Sequence, residues 1–181
     1  MEMHELLTTA QILRKLQELK GPKYIMMMGP PGSGKSTLSR EICRFNDVNR
    51  YSTDDKLDVL HKKGVLAAMR VRAEIPFGDM IKEIKYKIWQ DACMGKSVLI
   101  DQTSMTKESR MRKLEWTSPF HTIICIDCTS GLTVDQLEGR IKERVVQGGR
   151  YMPRRVIADM VRAYEPPQLD EGFHIVIRLE Q

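Results

Sequence analysis

The sequence predicts an α/β fold, a doubly wound parallel sheet in three α/β/α layers, and three observations carry that expectation. Short apolar runs alternate with stretches of helical periodicity along the 181 residues, the pattern of strands buried on both faces by crossover helices. The first long run, Tyr24-Ile25-Met26-Met27-Met28, leads directly into Gly29-Pro30-Pro31-Gly32-Ser33-Gly34-Lys35-Ser36. The acidic residues Asp54, Asp55 and Asp101 fall just beyond later runs, at the carboxyl ends of strands, where sheets of this kind bind ligands.

Each element has its own signal. Leu6, Ile12, Leu13, Leu16 and Leu19 recur at helical spacing, and Lys20-Gly21-Pro22 ends that helix. Residues 1–22 therefore read as an N-terminal helical extension, packed on the core or docking a partner, and residues 23–181 as one domain. After the glycine-rich segment, Leu38, Ile42 and Phe45 mark a helix with Arg40, Glu41 and Arg44 on its wet side. Val48 to Ser52 is a short strand running into Thr53-Asp54-Asp55. A helix starts at Glu74 or Ile75, buries Met80 or Ile81, Ile84, Ile88 and Trp89, and stops at Gly95. Val98-Leu99-Ile100 is a buried strand ending at Asp101, and Thr106 caps a helix that reaches Trp116. Thr122 to Ile126 is the next strand; Val134, Leu137, Ile141 and Val145 mark a helix closed by Gly148-Gly149; Pro153 opens another; Phe173 to Leu179 is the last strand.

Composition narrows the class. With 41% hydrophobic and 29% charged residues the chain is neither disordered nor fibrous, and its apolar runs are strand-sized rather than membrane-spanning. Cys43, Cys93, Cys125 and Cys128 lack the spacing of a secreted disulfide framework, and no signal peptide precedes them. An intracellular, cytoplasmic protein is expected. Cys125 and Cys128 form a C-x-x-C, but no second Cys/His pair accompanies it, which argues against zinc. Net charge is +5, with basic residues crowded at 82–87 and 140–162; these are either solvated helix faces or the footprint of an anionic partner such as nucleic acid.

The segment from Gly29 to Ser36 fits G-x-x-x-x-G-K-[ST] at every position. Between a strand and a helix, that pattern is a phosphate-binding loop of the P-loop NTPase/kinase fold. Gly29, Pro30, Pro31, Gly32, Ser33, Gly34, Lys35, Ser36 and Thr37 are the expected nucleotide cradle. Its backbone N–H groups and Lys35 meet the phosphates, the Ser36 hydroxyl holds Mg2+, and the helix N-terminus adds partial positive charge. Asp54 after the second of these strands either accepts the proton of a hydroxyl attacking the γ-phosphorus or helps to hold Mg2+, or else Thr53-Asp54-Asp55 is an N-cap followed by a first-turn acid that the helix dipole favours. Asp101 suits support of the metal, and no glutamate follows it to activate water, so transfer to an organic hydroxyl is the better fit. Arg140 and Arg144, four apart on one helix face, suit a lid that stabilises the transferring phosphoryl group, against the alternative of a solvated face. Arg150, Arg154 and Arg155 reach either solvent or an acceptor's phosphates.

The phosphate loop, the Ser52-Thr53-Asp54-Asp55 step, Leu99-Ile100-Asp101-Gln102-Thr103 and Gly139-Arg140-Ile141-Lys142-Glu143-Arg144 occur in one order. Together they resemble the kinase domain of phage polynucleotide 5′-hydroxyl kinases over residues 23 to 165. The resemblance implies ATP and Mg2+ as cofactors, DNA or RNA as partner, Lys35 and Ser36 at the nucleotide, Asp54 as general base, Asp101 as second essential acid, and Arg140 and Arg144 as lid arginines. One position departs: the family carries an arginine three residues after the base, where this chain has Leu57 beside Lys56. The phosphatase segment of many such kinases also has no counterpart. Kinases of 5-hydroxymethyluracil in phage DNA, nucleoside or small-metabolite kinases, and a nucleotide-dependent binding module are the alternatives; the chain has no N/T-K-x-D guanine motif.

Overall fold

The computed structural model describes residues 4–55, 77–129 and 131–180. Six strands, β1 (His4–Leu7), β2 (Lys23–Met28), β3 (Asn49–Ser52), β4 (Val98–Asp101), β5 (Thr122–Asp127) and β6 (Ile175–Leu179), form one sheet in the order β1-β6-β5-β2-β4-β3. Every pairing is parallel. The described helices are α1 (Thr9–Glu18), α2 (Lys35–Phe45), α3 (Phe77–Cys93), α4 (Lys107–Leu114), α5 (Val134–Val146) and α6 (Arg154–Arg162).

Strand β2 shows why this is a three-layer structure. Side chains alternate across a strand, so Ile25 and Met27 join α1 and α2 residues Ile12, Leu16, Leu38 and Ile42 in one core. Tyr24, Met26 and Met28 join Ile84 and Ile88 of α3 and Trp116 on the other face. Each fully buried aliphatic side chain contributes roughly 1.5–3 kcal/mol relative to exposure, which is why β2 carries no charge after Lys23. A third, smaller cluster of Leu137, Ile141 and Ile157 binds α5 to α6.

Three expectations change. The first helix begins at Thr9, because Thr8 caps it in a box with Gln11; Leu6 lies instead in β1, opposite Arg178 of β6, with its side chain exposed. Pairing with β1 covers an edge that β6 would otherwise leave open. Phe45 is exposed in the last turn of α2, beside an open groove at the amino ends of the strands where no described element covers it. Trp89 is exposed, because Ile84, Ile88 and Ala92 define the buried face of α3 and Trp89 projects away from it. The expected helix start at Glu74 or Ile75, Lys56, Leu57 and the Met80 side chain lie outside the described residues.

Register sets up the functional edge. Met27 stands beside Asp101 on one side and Ile126 on the other, and Ser52 stands beside Asp101. The segments leaving β2, β3 and β4 therefore emerge next to one another. Among the described residues, no helix is long and apolar enough to cross a membrane.

Candidate active site

The loop between β2 and α2 is shaped by close approach. Gly29 has φ +149°, and a Cβ there would meet Ser33 Oγ at 2.5 Å; its N–H donates to the Thr103 carbonyl at 2.9 Å, tying the loop to the end of β4. Gly32 has φ +86°, and a Cβ would lie 2.9 Å from the Leu137 carbonyl of α5. Only glycine permits both the backbone conformation and the contact with that helix. Helix α2 starts at Lys35 with no side-chain cap, leaving the arrangement that binds anions at a helix N-terminus.

Two charged groups at this edge are buried, and each keeps an open position. Lys35 is only 4% exposed, and among the described residues no carboxylate lies within ion-pair distance of it. Asp101 is 2% exposed; its Oδ2 accepts from Ser39 Oγ at 2.9 Å and from the Arg50 guanidinium, while its buried Oδ1 has no hydrogen-bond partner. Buried charge in this state is costly unless a ligand completes it. An anion beside Lys35 and a cation or its water beside Asp101 Oδ1 supply what is missing, so the residues present fit Mg2+ with a polyphosphate.

Arg50 is the residue that sequence reading missed. It donates to Ser39 Oγ at 2.8 Å, to Asp101 and, through Nη1, to Asp55. Arg40 also reaches Asp55, at 3.4 Å. One guanidinium on β3 thus fixes both the acid that ends β4 and an acid after its own strand. Burial is the largest single influence on the Arg50 pKa and lowers it, but the hydrogen bonds to Asp55 and Asp101 and the charges of those two acids together hold it above its ordinary value.

Ser52 Oγ accepts the Asp55 N–H at 3.3 Å, so the capping position of the turn at 53–55 belongs to Ser52 rather than to Thr53 or Asp54. That leaves the Asp54 carboxylate available for other partners. It accepts from Arg150 Nη2 at 2.6 Å, with the two side chains 47% and 25% exposed. From α5, Arg140 Nη1 donates to the Gly32 carbonyl at 3.3 Å, which brings one expected lid arginine onto the phosphate loop. Arg144 lies one turn further on and is exposed. Arg154 joins α6 to α5 through Glu138 at 2.7 Å.

Behind the loop the site rests on buried charge. Arg110 of α4 makes a two-armed pair with Glu171, both arms 2.7 Å, and also donates to the Glu165 carbonyl at 2.9 Å. Lys113 donates to Ser104 Oγ at 2.7 Å and to Ser109 Oγ at 3.2 Å. Burial, followed by the nearby Arg110, Arg112 and Lys35 charges, lowers the Lys113 pKa to about 8. Cys128 is buried against Gly29, and burial pushes its thiol up to about 12. Cys125 is raised by the same cause.

Comparison with known proteins places this geometry. A family profile described as an AAA domain matches residues 25–167. A chain of the Pnkp1/Rnl/Hen1 RNA repair complex superimposes with a TM-score of 0.60 at 22% identity, over 82% of this chain and 46% of that one. This chain thus spans about half the length of that relative. A gluconokinase from Sinorhizobium meliloti 1021 superimposes with a TM-score of 0.55 at 17% identity, over 88% of this chain and 83% of its own. At these identities the likeness is one of fold, the P-loop kinase fold.

Proposed function

The chain belongs to the AAA domain family, and on that premise we propose that this P-loop kinase transfers the γ-phosphate of ATP to a hydroxyl of a nucleic acid, the 5′-hydroxyl of a polynucleotide. The observation that carries the reading is the two open positions at the loop, Lys35 with no carboxylate and Asp101 Oδ1 with no donor among the described residues, with the Asp54 carboxylate on the adjacent strand end. The RNA repair complex among the fold relatives supports a polynucleotide acceptor.

In this mechanism the N–H groups of Gly32, Gly34, Lys35 and Ser36 and the Lys35 ammonium, within the loop from Gly29 to Thr37, would hold the triphosphate. Ser36 and Asp101 would hold Mg2+, which when bound would offset the negative charge of the triphosphate. Asp54 takes the proton of the acceptor hydroxyl as its oxygen bonds to the γ-phosphorus. The bond from that phosphorus to the β-phosphate oxygen breaks, and its electron pair leaves with ADP. Arg140 and Arg144 stabilise the transferring group from above, an electrostatic contribution often among the largest in such reactions. Arg150, which holds Asp54 in this structure, keeps the carboxylate oriented until the acceptor replaces it.

The test is transfer of labelled γ-phosphate to a 5′-hydroxyl oligonucleotide, a duplex bearing 5-hydroxymethyluracil, free nucleosides, gluconate or water. Label should move to the oligonucleotide, and Asp54→Asn should lower the transfer rate by about 10²–10⁴-fold while ADP binding persists. Undiminished transfer by that variant removes Asp54 from the mechanism, and label on gluconate alone replaces the acceptor class.

A further inference from the structure

Helix α3 carries a face that no other described element covers. Its buried side is Ile84, Ile88, Asp91 and Ala92. On the opposite side Lys82, Tyr86, Trp89 and Cys93 follow one another at spacings of four, three and four, the repeat of a single helical stripe. Tyr86 is 61% and Trp89 51% exposed. Their ring centroids are 6.3 Å apart with the planes tilted by 35°, so two aromatic surfaces stand side by side in water. Lys85 flanks them, its Nζ 5.8 Å from the centre of the Trp116 ring.

Charge selects the occupant. Placed at 100° per residue, Asp79 continues the stripe and pairs with Lys82 at 3.2 Å, Lys85 flanks it, and Glu83 beyond the other flank pairs with Lys87 at 2.9 Å, so that lysines outnumber carboxylates from 79 to 87. Exposed pairs of this kind are worth under about 1 kcal/mol, so these lysines can turn to phosphates at little cost. Rings interleaved with cations are the composition of a surface on which bases stack and a phosphate backbone is neutralised. Direction fits as well. Asp91, near the carboxyl end of α3, accepts hydrogen bonds from Asn49 and Tyr51 of β3, so that end lies at the amino edge of the sheet. The amino end of α3 therefore lies toward the edge where β3 ends and Asp54 follows, and residues 77 to 89 span about 18 Å from there.

We propose that the Tyr86–Trp89 stripe of α3, with Lys82 and Lys85, is a track for the single-stranded nucleic acid whose end enters the site at Asp54. The proposal rests on the nucleic-acid reading above and names the surface that binds the acceptor away from its reacting end. It predicts dependence on acceptor length, because a dinucleotide at Asp54 does not reach Trp89 whereas a longer strand does.

The test titrates the full chain with a 5′-hydroxyl single-stranded oligonucleotide of about twelve nucleotides, reading tryptophan fluorescence and, separately, KM for phosphate transfer. Stacking on Trp89 should quench emission. Trp89→Ala and Tyr86→Ala should each weaken binding about tenfold, and Lys82→Gln with Lys85→Gln should reduce the salt slope of binding by about one to two. Turnover of a dinucleotide should stay unchanged in all three variants. Binding and quenching without any phosphate transfer would overturn the kinase reading and leave the track standing. Transfer to the long strand with a KM within twofold of the parent in Trp89→Ala would overturn the track and leave the kinase standing. Self-association that Trp89→Ala abolishes, with strand affinity unchanged, would assign the stripe to a second copy of the chain and also overturn the track.

Discussion

The two halves of the site are held by charge in opposite ways. On the side of the phosphate loop and β4, ionised groups are enclosed: Arg110 and Glu171 have side chains 0% exposed, Asp101 is tied to Arg50 and Ser39, and Lys113 is wedged against Ser104. On the side of Asp54, α5 and α6, the ion pairs Arg150–Asp54, Arg154–Glu138 and Lys142–Glu138 all retain solvent access, and the hydrophobic cluster beneath is small. A buried pair strongly penalises any arrangement that separates it, whereas an exposed pair exchanges for water at little cost. The enclosed half is therefore built to keep one geometry for the nucleotide, and the exposed half is built to change partners as an acceptor arrives.

Breaking Arg110 should show the contrast at its largest. Arg110→Met leaves the Glu171 carboxylate buried without its two 2.7 Å donors, and it should lower the unfolding free energy in urea by about 3–5 kcal/mol. Arg110→Met with Glu171→Leu should recover most of that loss, since the stranded charge is gone. A single variant that costs less than about 1 kcal/mol would place this pair with the exposed ones.

Lys113 gives an intermediate effect with a defined sign. Its folded pKa, about 8, lies below the ordinary 10.5. Below pH 8 both folded and unfolded chains carry the proton, and the burial penalty is fully present. As pH rises above 8 the folded chain releases the proton while the unfolded chain keeps it, so stability climbs with pH until the unfolded lysine titrates. Relative to Lys113→Met, the parent should gain about 2 kcal/mol between about pH 8 and 9.5, read from paired urea titrations. A flat difference would show an ammonium that the fold accommodates without penalty.

Much of the enclosed half was legible because its signals are local. The phosphate loop is contiguous, Gly29 and Gly32 are required by their own backbone angles and close contacts, and β2, β4 and β5 announce themselves by apolar runs. Thr106 caps α4 as its position predicts. Partners distant in sequence were not legible. Arg50 finds Asp101 across 51 residues and Arg110 finds Glu171 across 61, and nothing in the spacing of these residues selects those matches. Strand β1 was read as helix because Leu6 happens to extend a helical series, while its pairing depends on the open edge of β6. Phe45 and Trp89 continue apolar patterns beyond the surfaces that bury their neighbours; periodicity records which side a residue faces, but not where the layer beneath it ends.

The smallest expected effect is also the one that tests the contrast from the exposed side. Arg150→Ala removes the partner 2.6 Å from Asp54, but the carboxylate it leaves behind is 47% exposed and water replaces the lost donor. Unfolding free energy should change by less than about 1 kcal/mol, and ADP affinity should stay within about threefold, because the groups that meet the phosphates lie on the other half. Transfer to an oligonucleotide should fall by about tenfold, since Asp54 loses the donor that orients it. That combination, a kinetic loss without a stability loss, is what separates a pair that exchanges partners from one that fixes a fold. If Arg150→Ala costs about as much stability as Arg110→Met, the half of the site around Asp54 is locked as well, and the acceptor must then enter without displacing this pair.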